Sequence, residues 1–375
     1  MAKPAGKDVT VGVGLLAGAG TLAGFSGSPH WSVRMWDFPR IQIGAAAAAA
    51  GAVYAARYHR GRPSDWAFLS MTAATAAWQI RKILPYTPFA PVQVERSRVK
   101  PTRERPRKDK PTLRLLISNV LMENTQHERL LRLVEESSPD VVMAVETNAR
   151  WAEALEPLSE TYPYVVRQPQ ENYYGMMLFS RLPLIEPRIE FLVQDDIPSV
   201  HTGIELPGGV QVILHGLHPR PPEPIRDQDS TPRDAELVMV GRAIGEADEV
   251  PTLVAGDLND VAWSPTSELF VRLGQLLDPR IGRGMFNSYN ANNPLLRYPL
   301  DHVFHSSHFR LVELRRCPSI GSDHFPMLVE LSYEPDAEAK QAMPEPDVED
   351  QIEADEKLEA EAEAAATGDD RPGRE

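Results

Sequence analysis

An α/β domain built from two sheets packed face to face is the fold class the sequence predicts, on three observations. Short apolar, β-branched runs recur between residues 113 and 331, a few helical patterns lie between them, and polar clusters stand where the runs end. Residues 113–120 make a continuous apolar run suited to a buried strand. Thr125-Gln126-His127-Glu128 reads as a helix start, and Leu130, Leu131, Leu133 and Val134 supply its apolar face. Ser138-Pro139-Asp140 ends that helix, and residues 141–145 are the next strand. Further strands are expected at 176–179, 211–217, 252–255, 302–305 and 327–331, with helices at 234–245 and 266–273.

The rest of the 375 residues divides by composition. Residues 1–90 are poor in acidic side chains and contain three apolar stretches, 9–25, 41–56 and 66–80. Each is at or just below the length of a simple span, roughly 17–25 residues. Trp31, Trp36, Tyr54, Tyr58, Trp66, Trp78 and Tyr86 lie near their ends, where amphipathic rings favour a headgroup layer. About three membrane helices are therefore expected, the competing reading being an alanine-rich soluble hairpin. The basic residues point both ways on orientation, and the lean is toward an extracytoplasmic soluble part. Residues 91–110 read as a basic, proline-rich linker. Residues 335–375 read as a disordered acidic tail. From Glu334 onward there are 16 acidic and 4 basic residues, a balance of −12 of the total −14, so the acidity says little about the partner of the folded part. Cys317 is the sole cysteine, which excludes an internal disulfide and a cysteine-rich zinc site.

Chemistry is concentrated at the strand ends of residues 111–334. Glu146 closes the second apolar run. Gly256-Asp257-Leu258-Asn259, Leu300-Asp301-His302 and Gly321-Ser322-Asp323-His324 follow. Gathered at one rim, carboxylates, amides and imidazoles suit a divalent metal and a phosphate ester. Asp257 and Asn259, two apart, are expected on one extended segment with their side chains facing the same way.

These residues carry a resemblance. Leu115-Leu116-Ile117-Ser118-Asn119-Val120, the run from Ser138 to Thr147 that includes Glu146, and Tyr174-Gly175 running to Ser180-Arg181-Leu182-Pro183 are similar to motifs of the endonuclease/exonuclease/phosphatase superfamily. So are His218-Pro219, Gly256-Asp257-Leu258-Asn259, Asp301-His302 and Ser322-Asp323-His324, in the family's order. The resemblance covers residues 112–333, and the hydrophobic segments ahead of it resemble a membrane-anchored bacterial branch. It implies a DNase I-like four-layered β-sandwich flanked by helices, and Mg²⁺ (Mn²⁺ as a substitute) as cofactor. Asn119, Glu146 and Asp323 are then metal-site residues. His218, Asp257, Asn259, Asp301 and His324 are catalytic, with Asp301 and His324 as a dyad. The expected activity is phosphoester cleavage by direct water attack, as a phosphodiesterase or nuclease, on nucleic acid or a phospholipid headgroup. The alternatives are a phosphomonoesterase of the same fold and a catalytically degenerate, membrane-tethered binding module. Arg280, Arg283 and Arg297 are candidates for holding a second phosphate.

Overall fold

Alternation along the apolar runs decides which layer each side chain enters. In the computed structural model, which describes residues 4–99, 111–222, 229–247, 250–334 and 336–367, strand β1 spans Thr112–Asn119 and β2 spans Val141–Val145. Leu113, Leu115, Ile117, Val141, Met143 and Val145 face one core; Leu116, Val142 and Ala144 face another. Both faces are covered, so these strands read as unbroken apolar runs.

The chain forms two compact units, Met1–Pro91 with Pro222–Ser230, and Val92–Pro221 with Thr231–Glu375. The first holds α1 (Pro4–Ala23), α2 (Trp31–Arg34), α3 (Arg40–Arg57) and α4 (Pro63–Ile83). Its interior holds a polar cluster beside apolar Ile43, Tyr54 and Phe68. Arg40 donates to Asp37 at 2.5 Å and to Gln79 at 3.2 Å, and Gln79 donates to Thr21 at 2.7 Å, all four buried. Val9, Leu15, Leu16, Leu22, Phe25, Ile41, Trp66 and Ile80 are exposed. Among the described residues only Gly6–Ser26 is long and apolar enough to cross a membrane, with mean hydropathy 1.6. The stretches expected at 41–56 and 66–80 are helices that fall short of that apolarity, because α3 includes Arg40, Gln42 and Arg57 and α4 includes Asp65, Gln79, Arg81 and Lys82.

The second unit adds α5 (His127–Ser137), α6 (Ala149–Ala154), β3 (Tyr164–Gln168), β4 (Met176–Ser180), β5 (Leu184–Glu190), β6 (Ser199–Glu205) and β7 (Gln211–Leu217). Then come α7 (Thr231–Glu246), β8 (Thr252–Asp257), α8 (Pro265–Leu273), β9 (Asp301–His305), β10 (Phe309–Arg316), β11 (Met327–Tyr333) and α9 (Val348–Thr367). The sheets run β10-β11-β1-β2-β4-β3 and β5-β6-β7-β8-β9. The core between them joins both, through residues such as Ile117, Met143, Leu214 and Leu253. Outside it, α5 and α6 cover the first sheet through Leu130, Leu133 and Trp151. Helices α7 and α8 cover the second through Leu237, Val240 and Phe270. Helix, sheet, sheet and helix make the four layers of the expected DNase I-like sandwich. Cys317 is buried against the outer face of the first sheet, where burial pushes its thiol up to about 11.

Two boundaries differ from the sequence reading. Part of the expected linker is structure: Ser97 N donates to Leu311 O and Leu311 N to Glu95 O, both at 2.9 Å, along the edge strand β10. An edge strand offers unpaired backbone groups, and this segment satisfies some of them. Residues 100–110 lie outside the described residues. The tail is also partly ordered. Helix α9 packs Ala354 and Leu358 against Val238, Leu269 and Leu273. Ion pairs fix it: Arg272–Asp350 and Arg242–Asp355 at 2.7 Å, and Lys357–Asp234 at 3.1 Å. A search for an apolar face misses a helix held mainly by charge.

Glu236 of α7 is buried, and its Oε1 has no hydrogen-bond partner. Burial lifts its carboxyl from 4.5 to about 8. Across that window the folded state keeps a proton the unfolded chain has released, so this group's contribution to stability falls as pH rises. Glu236→Gln is expected to melt higher than the wild type by a margin that widens between pH 5 and pH 8, reaching about 1–3 kcal/mol. A margin independent of pH would contradict this.

Candidate functional site

Strand direction explains why residues far apart in sequence meet. β1 and β2 are parallel, so Asn119 at the end of one and Glu146 just beyond the other leave the first sheet at the same edge. β7 and β8 are parallel in the second sheet, placing His218 after Leu217 beside Asp257. β9 and β11 run antiparallel to β8 and β1, so Asp301 and His324 stand where those strands begin. Backbone constraints sharpen the rim. Gly256 has φ +150, and a Cβ there would stand 1.8 Å from Leu217 O. At Gly175 a Cβ would stand 1.8 Å from Thr147 O, so glycine lets that loop pass beside Glu146. Glu146 and Asn259 themselves adopt left-handed φ of 62 and 51, strain of the kind found at working sites.

The side chains join the two sheets. Asn119 Nδ2 donates to Glu146 Oε1 at 2.6 Å and to Asp257 Oδ2 at 3.0 Å, while its Oδ1 accepts from Leu121 N. His324 Nδ1 lies 2.7 Å from Asp301 Oδ2, and its Nε2 lies 3.5 Å from Asp257 Oδ2. Ser288 Oγ accepts from Asp301 N at 3.0 Å and so fixes the start of β9. His218 Nδ1 donates to the carbonyl of Asp257 at 3.1 Å, which leaves Nε2 as its outer nitrogen. Burial raises the carboxyl of Glu146, with His218, Asn119 and His324 opposing, and its Oε2 is buried without a partner. Burial also works against a proton on His324, but Asp301, Asp257 and Asp323 lift it to about 10. His324 is therefore an imidazolium at neutral pH.

Of the eight residues singled out from sequence, six form one contact network: Asn119, Glu146, His218, Asp257, Asp301 and His324. Asn259 connects differently from the expectation. The strand ends at Asp257, Asn259 sits in a left-handed turn, its N donates to Asp257 Oδ1 at 3.0 Å, and its Nδ2 reaches Pro219 O at 2.9 Å. Asp323 is half-exposed, and its Oδ1 accepts from Ser322 Oγ at 3.4 Å. The arginine loop expected to hold a phosphate is internally engaged. Arg280 pairs with Asp278, Arg283 donates to Pro279 O and Val94 O, and Arg297 donates to Asn290 O and Ala291 O. Tyr289 was not singled out. Its ring lies 4.9 Å from that of His324, and its only signal in sequence is an aromatic residue ahead of the Asp301-His302 pair.

Asp257, Asp301 and His324 each offer a ligand atom within 4.8 Å of the others, a grouping that by distance alone could hold a cation. Two of the three, Asp301 and His324, are also bonded to each other at 2.7 Å as an acid–base pair. Two carboxylate oxygens at this rim are buried without a hydrogen-bond partner, Glu146 Oε2 and Asp301 Oδ1.

A model of the "Endonuclease/Exonuclease/phosphatase family" matches residues 116–324. No curated protein matches the chain. Among solved structures, D. rerio TDP2 complexed with single strand DNA product is 20% identical, with a TM-score of 0.49 over 59% of this chain and 98% of that one. An endonuclease/exonuclease/phosphatase from Bacteroides vulgatus is 15% identical, with a TM-score of 0.49 over 60% and 100%. The human Nocturnin catalytic domain with bound sulfate is 15% identical, with a TM-score of 0.47 over 60% and 96%.

Removing the charge of Asp301 takes away a main cause of His324's raised proton affinity. In Asp301→Asn, without added metal, imidazole NMR should show the His324 midpoint lowered by about one unit or more. An unmoved midpoint would show that Asp301 does not set it.

Proposed function

The chain belongs to the endonuclease/exonuclease/phosphatase family of phosphoester hydrolases, and from that premise we propose that it is a membrane-anchored, Mg²⁺- or Mn²⁺-dependent phosphodiesterase or nuclease. One observation carries the metal reading. Glu146 Oε2 is buried, unpartnered and close enough to feel the charges of His218 and His324. A hard cation satisfies that oxygen, with Glu146 as the principal protein ligand and Asp323 as a further one. Asn119, whose Nδ2 serves both carboxylates, orients rather than ligates. When bound, the ion supplies positive charge to the phosphate oxygens.

The remaining roles follow from the protonation states. His218, whose Nδ1 is taken up by the carbonyl of Asp257, offers Nε2 to a non-bridging phosphate oxygen, a bond it donates when the ring carries its second proton. Asp257 Oδ2 accepts the proton of an attacking water, whose oxygen bonds to phosphorus as the ester oxygen leaves. His324, held as an imidazolium by Asp301, donates through Nε2–H to the charge that builds on the phosphoryl group. Asn259 holds the turn beside Asp257, its backbone N donating to Asp257 Oδ1 and its side-chain amide to Pro219 O.

Membrane anchoring is supported by the apolar Gly6–Ser26 segment and by the large apolar side chains, among them Leu15, Leu16 and Leu22, that the first unit turns outward. A cell-membrane location with an extracytoplasmic catalytic unit is the reading adopted, and a nucleic acid or a phospholipid headgroup supplies the phosphoester.

Glu146→Gln and His324→Ala are each expected to lower turnover of bis-nitrophenyl phosphate about 10²-fold or more with melting temperature retained. EDTA should abolish wild-type activity and Mn²⁺ restore it; EDTA-resistant turnover would refute the metal role. The full chain should resist extraction by alkaline carbonate, and release into the soluble fraction would refute the anchor. Offering DNA, RNA, sphingomyelin and phosphoinositides identifies the substrate class.

A further inference from the structure

The acidic C-terminal helix is wired to the catalytic turn. Asn259 sits in left-handed backbone directly after the strand that ends in Asp257, so an outside constraint must hold it. That constraint is Arg233 of α7, whose side chain is fully buried. Its Nη1 donates to Asn259 O at 2.9 Å. Its Nη2 lies 3.1 Å from Asp260 Oδ2, and Nη2 and Nε reach Asp234 Oδ1 at 2.8 and 3.1 Å. One planar fork thus grips the turn from one side and a neighbouring carboxylate from the other.

Charge accounting brings in α9. Asp234 and Asp260 are both buried, and Arg233 is one cation between two carboxylates. Lys357 of α9 supplies a second, with Nζ 3.1 Å from Asp234 Oδ2, an oxygen that also accepts from Thr266 Oγ1 at 2.9 Å. Lys357 also lies 3.6 Å from Glu353 of its own helix. Without Lys357, Asp234 loses one cation and draws harder on Arg233, and the fork's hold on Asn259 O loosens, because a buried carboxylate that loses a charged partner leans on the remaining donors. The far side of the turn has a separate brace. Arg280 donates to His302 Nδ1 at 2.7 Å, so neutral His302 donates through Nε2 to Asp260 O at 2.8 Å. The α9 side is the one that depends on a terminal, acidic helix.

We propose that Arg233 and Lys357 are positioning residues for the reaction at Asp257. Through the chain Lys357–Asp234–Arg233–Asn259 O, docking of α9 sets the turnover of the site. This rests on the hydrolase reading above for its kinetic consequence, and on geometry alone for its structural one.

The test uses the full chain. Lys357→Met is expected to lower kcat about 3–10-fold with KM within about twofold, and Lys357→Arg to restore it. Arg233→Lys keeps the charge without the fork and should fall at least as far. Its effect should not add to that of Lys357→Met, since both act on one contact. Arg242→Ala breaks the Arg242–Asp355 pair that also joins α7 to α9 but has no route to Asn259, and it should leave kcat unchanged. Lys357→Met with wild-type kcat, or with only a lowered melting temperature, overturns the proposal. Hydrogen exchange separates this failure from that of the hydrolase reading. Should the wild type cleave no phosphoester, faster exchange at the amides of residues 258–261 in Lys357→Met would still support the brace, and unchanged exchange would overturn it.

Discussion

A single neutral amide holds the site together. Glu146 belongs to one sheet and Asp257 to the other, and two carboxylates at a dry rim repel unless a donor stands between them. Asn119 Nδ2 is that donor, reaching one at 2.6 Å and the other at 3.0 Å. Aspartate here would add a third negative charge, and a lysine would cancel one of the two. The amide orients both carboxylates and leaves their charge intact. Every other placement at the rim follows from the sandwich that lets this bond form. The two sheets must meet with these strand ends level, and Gly256 and Gly175 allow the backbone to pass closely enough for them to do so.

The parts of this arrangement visible in the sequence are those whose burial is complete. β1, β2, β4 and β8 are covered on both faces and announce themselves as apolar runs. β3, β5 and β10 lie in edge positions or beside the solvent, where period and composition are diluted; β5 even carries Pro187. β6 is buried yet polar, because Ser199 and His201 find partners in each other and in His215 of β7. No hydropathy pattern marks such a strand. The residues gathered at the rim were legible because each adjoins a readable strand, Asn119, Glu146, His218 and Asp257 at or just past the end of one and Asp301 and His324 at or just before the start of another. Asn259 was placed correctly in sequence and wrongly in conformation: nothing local reveals a left-handed turn whose restraint comes from α7. Helix α9 was hidden for a related reason, its arginine partners lying 78 and 113 positions upstream.

The first unit mixes polar and apolar groups in its interior. Asp37, Arg40 and Gln79 are inside, joined by hydrogen bonds from Arg40, and so are Ile43, Tyr54 and Phe68, while Leu15, Leu16 and Leu22 are outside. A buried polar cluster of this kind holds only because its members satisfy one another.

The lone thiol has a practical corollary. Cys317 is both sequestered and poorly ionised, so it reacts sluggishly with alkylating reagents and needs no replacement. A cysteine placed at any accessible position then becomes the one fast-labelling handle in the chain. Spin labels or fluorophores can be attached in turn along α1, along α9 and near Tyr173, each reporting its own surroundings in an otherwise native background.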